Sequence, residues 1–340
     1  MEDTNRPLPK HLDRSARIDC KRALSMIGIE RRAAVGGLLA ALALTALMHG
    51  TTIAASKVNA IGVENEYADV IAQIGGQYVE VSAIETDPNT DPHTFEVSPK
   101  VASQIAGAEL IVKNGVGYDA WVDKIIAGAP NAKRKVIDVQ QLLGLPDSTP
   151  NPHLWYDPKT MPAVAKAVAA ALSEFQPAQA SDFKANAEKF DASLKPWLDA
   201  IATLKAKYEH TPVATTEPVA TTEPVADYLL QAEGFDIKTP FSLEAAIMNG
   251  TDPSPQDVTL QNELFTGHKV KVFAYNQQVT DALTQSFLDL AKKNNIPVVG
   301  VYETMPTPGF TYQTWMLAEI EALNKALGDG VSTEKLVAGK

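Results

Sequence analysis

From Lys57 onward, short apolar runs alternate with amphipathic segments, and this alternation constrains the fold more than any other feature of the chain. Strand-like runs are predicted at 58–63, 78–84, 108–114 and 135–139, with helical segments between them. The second half resumes the pattern, with strand-like runs at 212–216, 270–275 and 296–301. Strands that alternate with helices form parallel sheets through right-handed crossovers. The sequence therefore predicts an α/β protein with two lobes, each a mainly parallel sheet flanked by helices.

The segment 181–210 is predicted to be one long connecting helix. It has no strand pattern, and its apolar residues recur at helical spacing. Pro196 lies near its middle and is expected to kink it, because proline cannot donate the helical backbone hydrogen bond. We expect this helix to join an N-terminal α/β lobe (56–180) to a C-terminal α/β lobe (211–340).

Residues 1–55 have the pattern of a signal peptide. The apolar run 33–48 follows Arg31 and Arg32, is short for a membrane span, and is followed by small residues near Ala55, where cleavage is expected. Met26 is an alternative start. The only cysteine, Cys20, lies in this segment. The mature protein is therefore expected in the periplasm, without disulfides and not as a lipoprotein.

The net charge of -11 argues against a nucleic-acid partner, because nucleic-acid binding needs basic patches. An acidic chain could attract a cation, although charge this diffuse usually serves solubility.

Two proline-histidine loops, 91–96 and 151–158, are the strongest functional signal. His93 and His153 each follow a proline, after a strand-like run and ahead of a helix. Ligands of parallel sheets bind outside the carboxyl ends of the strands, where both loops are expected. A neutral imidazole on a stiff loop is a good metal ligand. One such histidine is more often solvated, but two copies of the arrangement indicate a metal site.

Acidic residues occupy the same position in the second half of the chain. Glu223 and Glu303 each end a strand-like run, and a tandem repeat (213–218 and 219–224) makes Glu217 the alternative to Glu223. A lone glutamate there is more often a helix cap or a solvated acid. Together with His93 and His153, however, these residues predict one mononuclear site between the lobes. Nitrogen and oxygen donors suit Mn²⁺, Fe²⁺ or Zn²⁺.

No catalytic motif accompanies these residues, so the protein is predicted not to be an enzyme. The alternative is an exported metal-dependent hydrolase that uses the same His and Glu residues. Such an enzyme needs an open metal position for water and an adjacent base, whereas all four candidates here are expected to be ligands. A surface adhesin, a third possibility, would need an anchor.

Five motifs resemble those of one protein family over essentially all of the mature chain. They are Asp91–Glu96, Ala108–Gly115, Asn151–Pro158, Thr222–Tyr228 and Ile296–Glu303. The chain is similar to the periplasmic metal-binding proteins of ABC transporters, the ZnuA/TroA/PsaA-like solute-binding proteins of cluster A-I. The resemblance implies two lobes joined by one rigid helix, with a metal ion between them. It also implies a monomer whose partner is an ABC permease in the inner membrane.

The resemblance carries over to individual residues. His93 and His153 match the first two family ligands, and Glu223 matches the third, which is histidine in zinc members and glutamate in manganese members. Glu303 stands where the family usually has aspartate. Glu223 is preferred to Glu217 because the residues after it fit the family helix. The duplication, Pro196 and the missing His-rich loop depart from the family. Together with Glu223, these features lean toward Mn²⁺, with Zn²⁺ open and Fe²⁺ as a further candidate.

Tyr67, Asn114 and Gly115 lie at the ends of predicted strands or helices near the cleft between the lobes, and they are expected to line it. Trp155 is expected to be a packing residue that could also shield the metal.

Overall fold

A computed structural model describes residues 56–209, 218–306 and 308–336. The predicted signal peptide (1–55), the strand-like run 212–216 and Glu217 lie outside the described residues. Among the helices that are described, none is long and apolar enough to cross a bilayer.

The N-terminal lobe is a four-stranded parallel sheet with helices between its strands. The strands are β1 (Val58–Glu64), β2 (Val79–Glu85), β3 (Leu110–Lys113) and β4 (Lys135–Asp138). Their order across the sheet is β2-β1-β3-β4. The helices are α1 (Asn65–Gly75), α2 (Pro99–Gly107), α3 (Trp121–Gly128), α4 (Val139–Leu142) and α5 (Thr160–Phe175). β1 and β3 are buried almost throughout, as expected of central strands covered on both faces.

The connecting segment is a long helix that is interrupted once. It consists of α6 (Ala180–Ser193) and α7 (Lys195–Glu209), with Leu194 between them. The interruption lies two residues before Pro196, where the ring and the missing N–H disturb the preceding turn.

The C-terminal lobe repeats the topology of the first. Its strands are β5 (Pro218–Thr221), β6 (Asp236–Ile237), β7 (Val272–Asn276) and β8 (Val298–Val301), all parallel. Their order, β6-β5-β7-β8, has the same form as in the first sheet. The helices are α8 (Asp227–Ala232), α9 (Phe241–Met248), α10 (Pro255–Thr266), α11 (Ala282–Lys293) and α12 (Tyr312–Asp329). The predicted two-lobed α/β fold is therefore confirmed.

Buried hydrogen bonds join the lobes beside the carboxyl ends of both sheets. The Asn65 side chain, at the start of α1, donates to the Met305 carbonyl (2.8 Å) and accepts from the Met305 N–H (3.0 Å). The Tyr312 hydroxyl, at the start of α12, donates to the Trp155 carbonyl at 2.7 Å. These bonds hold the loop that follows β8 against α1 and the loop that precedes α5 against α12.

Glu319 in α12 is a buried acid within the apolar core. Its Oε1 accepts hydrogen bonds from Trp315 Nε1 (3.1 Å) and from the Tyr156 hydroxyl (3.3 Å). Burial raises the pKa of Glu319 from 4.5 to about 8, although both hydrogen bonds favour the charged form. Between these two values the folded state binds more protons than the unfolded state, so the free energy of unfolding falls as pH rises.

We expect Glu319→Gln to remove this pH dependence, because glutamine keeps an acceptor for both donors and does not titrate. The wild type should lose about 1.4 kcal/mol more than the variant per pH unit within that range. Urea unfolding at pH 5 and pH 7.5 measures the difference. Glu321→Gln, an exposed position on the same helix, should leave the wild-type slope unchanged. Parallel pH curves for wild type and Glu319→Gln would contradict the prediction.

Candidate metal centre

His93 is presented by a tight turn after β2. The turn spans Pro92–Thr94, and Asp91 caps it by accepting a hydrogen bond from the His93 N–H at 2.8 Å. The imidazole Nε2 lies 3.2 Å from Glu303 Oε2 of the C-terminal lobe. The proline-histidine loop therefore directs its imidazole across the interface between the lobes.

His153 is fully buried, and Asn151 fixes its ring. Asn151 Oδ1 accepts from the His153 N–H (3.0 Å) and lies 2.8 Å from His153 Nδ1. A proton on Nδ1 leaves a lone pair on Nε2, which lies 3.2 Å from Glu303 Oε2. Asn151 Nδ2 also donates to the Pro224 carbonyl at 2.6 Å, so the same side chain ties this loop to the second lobe.

Glu303 follows β8, and its carboxylate lies close to both His93 and His153. Gln278 Oε1 accepts from the backbone N–H groups of Glu303 (2.6 Å) and Thr304 (2.8 Å), which holds the loop. The Tyr118 hydroxyl donates to Glu303 Oε2 at 3.0 Å. The ligand atoms of His93, His153 and Glu303 all lie within 4.8 Å of one another. Two imidazoles from one lobe and a carboxylate from the other thus form a group that could hold a metal ion.

Glu223 follows β5 and is also buried, but it does not belong to this group of three. Asn276 links it to the group, since Asn276 Nδ2 donates both to Glu223 Oε2 (3.2 Å) and to Glu303 Oε1 (2.8 Å). Glu223 Oε1 has no hydrogen-bond partner among the described residues. The structure therefore brings together three of the four predicted ligands. The fourth, Glu223, is linked to them through the side-chain amide of Asn276.

Comparison with known proteins identifies the family. The family model described as "Zinc-uptake complex component A periplasmic" matches residues 64–326. The chain belongs to this zinc-uptake family.

Curated relatives of this zinc-uptake family member are named for several metals. The metal ABC transporter substrate-binding lipoprotein ScbA of Streptococcus cristatus is 26% identical over 178 residues, which is 48% of this chain and 55% of ScbA. The iron-binding protein YfeA of Yersinia pestis is 26% identical over 138 residues, 39% of this chain and 43% of YfeA. The zinc-binding protein TroA of Treponema pallidum is 25% identical over 176 residues, 50% of this chain and 56% of TroA. The chain spans about half the length of these relatives.

Solved structures share the fold. FpvC of Pseudomonas aeruginosa in complex with Mn²⁺ has a TM-score of 0.65 at 19% identity, covering 81% of this chain and 99% of FpvC. The Mn-bound periplasmic metal-binding protein of Candidatus Liberibacter asiaticus has a TM-score of 0.63 at 20% identity, covering 81% of this chain and 100% of that protein. These similarities show the two-lobed fold alone.

The comparisons confirm the predicted resemblance to metal-binding proteins of ABC transporters. The relatives described above are named for metal binding or transport and give no support to the alternative of an exported hydrolase. They support a divalent metal ion as the ligand, without selecting one metal. ScbA is named a lipoprotein, as are two further relatives, which conflicts with the expectation that the protein carries no lipid.

The pKa values of the acids and histidines in the candidate site of this zinc-uptake family member are shifted in different directions. Burial raises the pKa of Glu303, but the hydrogen bonds and charges of His153 and His93 outweigh it and hold that pKa well below its ordinary value. Burial lowers the pKa of His153, whereas Glu303 and Asp91 outweigh burial at His93 and raise its pKa. Burial and the charge of Glu303 raise the pKa of Glu223 well above its ordinary value. Binding of a metal should therefore release protons.

Further buried acids lie on the N-terminal side of the site. Glu64 and Glu85 end the paired strands β1 and β2, and Glu66 begins α1. Burial, reinforced by the charge of Asp119, raises the pKa of Glu64 and Glu85 well above their ordinary value. Burial raises the pKa of Glu66 to about 8. At neutral pH Glu66 is therefore mostly protonated, and burial opposes the charged form of Glu64 and Glu85 in the same direction.

Two of the residues expected to line the cleft, Tyr67 and Asn114, support the His153 loop. The Tyr67 hydroxyl donates to Asn114 Oδ1 (2.7 Å), and Asn114 Nδ2 donates to the Pro152 carbonyl (2.7 Å). Trp155 is fully buried and stands edge-on to the His153 ring, with a centroid distance of 5.4 Å. It therefore packs against the His153 ring, as predicted.

Sequence reasoning missed three polar residues that complete the site: Tyr118, Asn276 and Gln278. Asn276 and Gln278 directly follow the strongly apolar strand β7, so their position at a carboxyl strand end was the signal that could have indicated them. Tyr118 had no comparable signal. Of the remaining mature histidines, His268 is exposed, and His210 lies outside the described residues.

Proposed function

We propose that this protein is a periplasmic solute-binding protein that captures one divalent transition metal ion and delivers it to an ABC importer. The candidates are Zn²⁺ and Mn²⁺, with Fe²⁺ as a further possibility. The observation that carries the proposal is the convergence of His93, His153 and Glu303 from both lobes within 4.8 Å. Family membership supports the transport role, with a membrane permease as the partner.

The proposed ligands are His93, His153, Glu303 and Glu223. Glu223 is included because it is buried, because Asn276 joins it to Glu303, and because its Oε1 has no partner among the described residues. A buried carboxylate oxygen without a partner is costly unless it is protonated or binds a cation. Two neutral imidazoles and two carboxylates would balance the charge of a divalent ion, which offsets the cost of burying the charges.

Metal analysis tests the proposal. The purified protein would be stripped with a chelator, reloaded from equal concentrations of Mn²⁺, Fe²⁺ and Zn²⁺ without oxygen, and analysed by plasma mass spectrometry. Retention of about one ion per chain, lost in His153→Ala, supports the proposal. Failure to retain metal stoichiometrically contradicts it.

The tandem repeat contains two candidate ligands, Glu223 and Glu217, and we predict different effects on metal binding when each is replaced. We expect Glu223→Gln to weaken metal binding by at least about tenfold, because the amide loses the negative charge while keeping an acceptor for Asn276. Glu217→Gln serves as the matched control and should bind like the wild type. Titration calorimetry measures both affinities, and the reverse result would assign the ligand to Glu217.

A further inference from the structure

Asn276 is fully buried at the end of β7, and its amide has one fixed orientation. Its Oδ1 accepts from the Gln278 N–H at 3.0 Å, which turns Nδ2 toward the two carboxylates. Nδ2 carries two hydrogens and lies within hydrogen-bond distance of Glu223 Oε2 and Glu303 Oε1. Both donors are therefore used, one for each glutamate.

In each of the two glutamates, one carboxylate oxygen accepts a hydrogen bond from Asn276 and the other does not. Glu303 Oε1 and Glu223 Oε2 accept from Asn276. Glu303 Oε2 faces His93 and His153 and also accepts from the Tyr118 hydroxyl, and Glu223 Oε1 has no partner among the described residues. One oxygen of each carboxylate thus remains for a cation, and the other is held by the amide.

We propose that Asn276 restricts Glu223 and Glu303 to one metal contact each and thereby makes the site selective for Zn²⁺ over Mn²⁺. This inference rests on the proposed function. Two imidazole nitrogens and two single carboxylate oxygens make four ligands, the number that Zn²⁺ prefers in protein sites. Mn²⁺ favours more oxygen ligands in octahedral geometry, which bidentate carboxylates would supply. The donor types alone lean toward Mn²⁺, whereas the hydrogen bonds from Asn276 favour the opposite selectivity.

Asn276→Leu tests the inference, because leucine has a similar volume and cannot donate a hydrogen bond. We expect the affinity for Zn²⁺ to fall by about 10- to 100-fold, the range typical for loss of a residue that orients a metal ligand. The affinity for Mn²⁺ should fall less, so that the preference for Zn²⁺ over Mn²⁺ decreases by about tenfold or more. Asn59→Leu is the matched control. It removes an amide that bonds the Gly107 carbonyl, far along the chain from the proposed ligands, and should leave the preference unchanged.

Co²⁺ provides a readout of coordination number that a loss of stability alone would not change. Four-coordinate Co²⁺ absorbs visible light strongly, and six-coordinate Co²⁺ absorbs weakly. We expect a strong visible band from the wild type and a weaker band from Asn276→Leu. The wild-type spectrum tests the inference even if the variant does not fold.

The outcomes separate this inference from the proposed function. Absence of stoichiometric metal binding in the wild type would overturn the proposed function and the inference together. Stoichiometric binding with a weak, six-coordinate Co²⁺ spectrum would overturn the inference alone. A folded Asn276→Leu variant with the wild-type spectrum and the wild-type metal preference would also overturn the inference alone.

Discussion

Replacement of Glu303 by glutamine is expected to lower the affinity for a divalent metal by more than about 100-fold, beyond the usual effect of losing a residue that only orients a ligand. Glu303 Oε2 lies 3.2 Å from both His93 Nε2 and His153 Nε2, so this oxygen is central to the group. The carboxylate is charged at neutral pH, because the two histidines hold its pKa well below the ordinary value against the effect of burial. The amide would remove that charge from a buried site. Competition with a zinc-binding dye measures the affinity.

Glu319→Gln is the matched control for Glu303→Gln. Glu319 is also a fully buried glutamate of the C-terminal lobe, but it accepts hydrogen bonds from Tyr156 and Trp315, neither of which is a proposed ligand. We expect the metal affinity of the Glu319→Gln variant to equal that of the wild type. Equal losses in the two variants would indicate damage to folding rather than loss of a ligand. Unchanged affinity in Glu303→Gln would show that the metal binds elsewhere.

The two-lobed fold could be predicted because its central strands carry strong local patterns. Most residues of β1 and β3 are apolar and nearly all are buried, so each strand was visible as an apolar run. β6 consists of two half-buried residues and gave no such signal. The helix Phe241–Met248 is apolar on several sides, so its periodicity is weak, and it was not predicted.

Helix starts in the second lobe depend on capping that apolar periodicity does not show. The helix that follows β7 begins at Ala282 rather than directly after the strand, because Asp281 and Thr284 form a capping box. The Asp281 side chain accepts from the Thr284 N–H (2.7 Å), and the Thr284 hydroxyl accepts from the Asp281 N–H (2.9 Å). The preceding residues are consequently free to form the loop in which Gln278 supports Glu303.

The candidate site could be predicted in part, because its histidines stand in stiff, recognisable loops. The contacts that complete it join residues far apart in the sequence. Tyr118 bonds Glu303 across 185 positions, and Asn151 bonds Pro224 across 73. Such pairs depend on how the lobes meet, which no local pattern encodes. The sequence therefore indicated the proposed ligands but could not indicate the residues that orient them.

Gly62→Ala is expected to destabilise the protein by about 3 kcal/mol, at the upper end of the usual cost of overpacking. Gly62 lies in β1 against the start of α1, and an added Cβ would come within 2.1 Å of the Ala68 backbone nitrogen. Backbone atoms cannot rotate away, so α1 would have to move as a unit. The same helix carries Asn65, which bonds Met305 in the other lobe, and Tyr67, which supports the His153 loop through Asn114.

Urea unfolding measures this effect, and Gly128→Ala is its matched control. Gly128 ends α3, and an added Cβ there would meet no atom within 4 Å. We expect that variant to be neutral or more stable by up to about 1 kcal/mol, because alanine loses less conformational entropy on folding than glycine. Similar stabilities for the two variants would show that α1 can move away from β1 at little cost. A large loss only in Gly62→Ala would show that the close contact between β1 and α1, the helix that carries Asn65 and Tyr67, requires glycine.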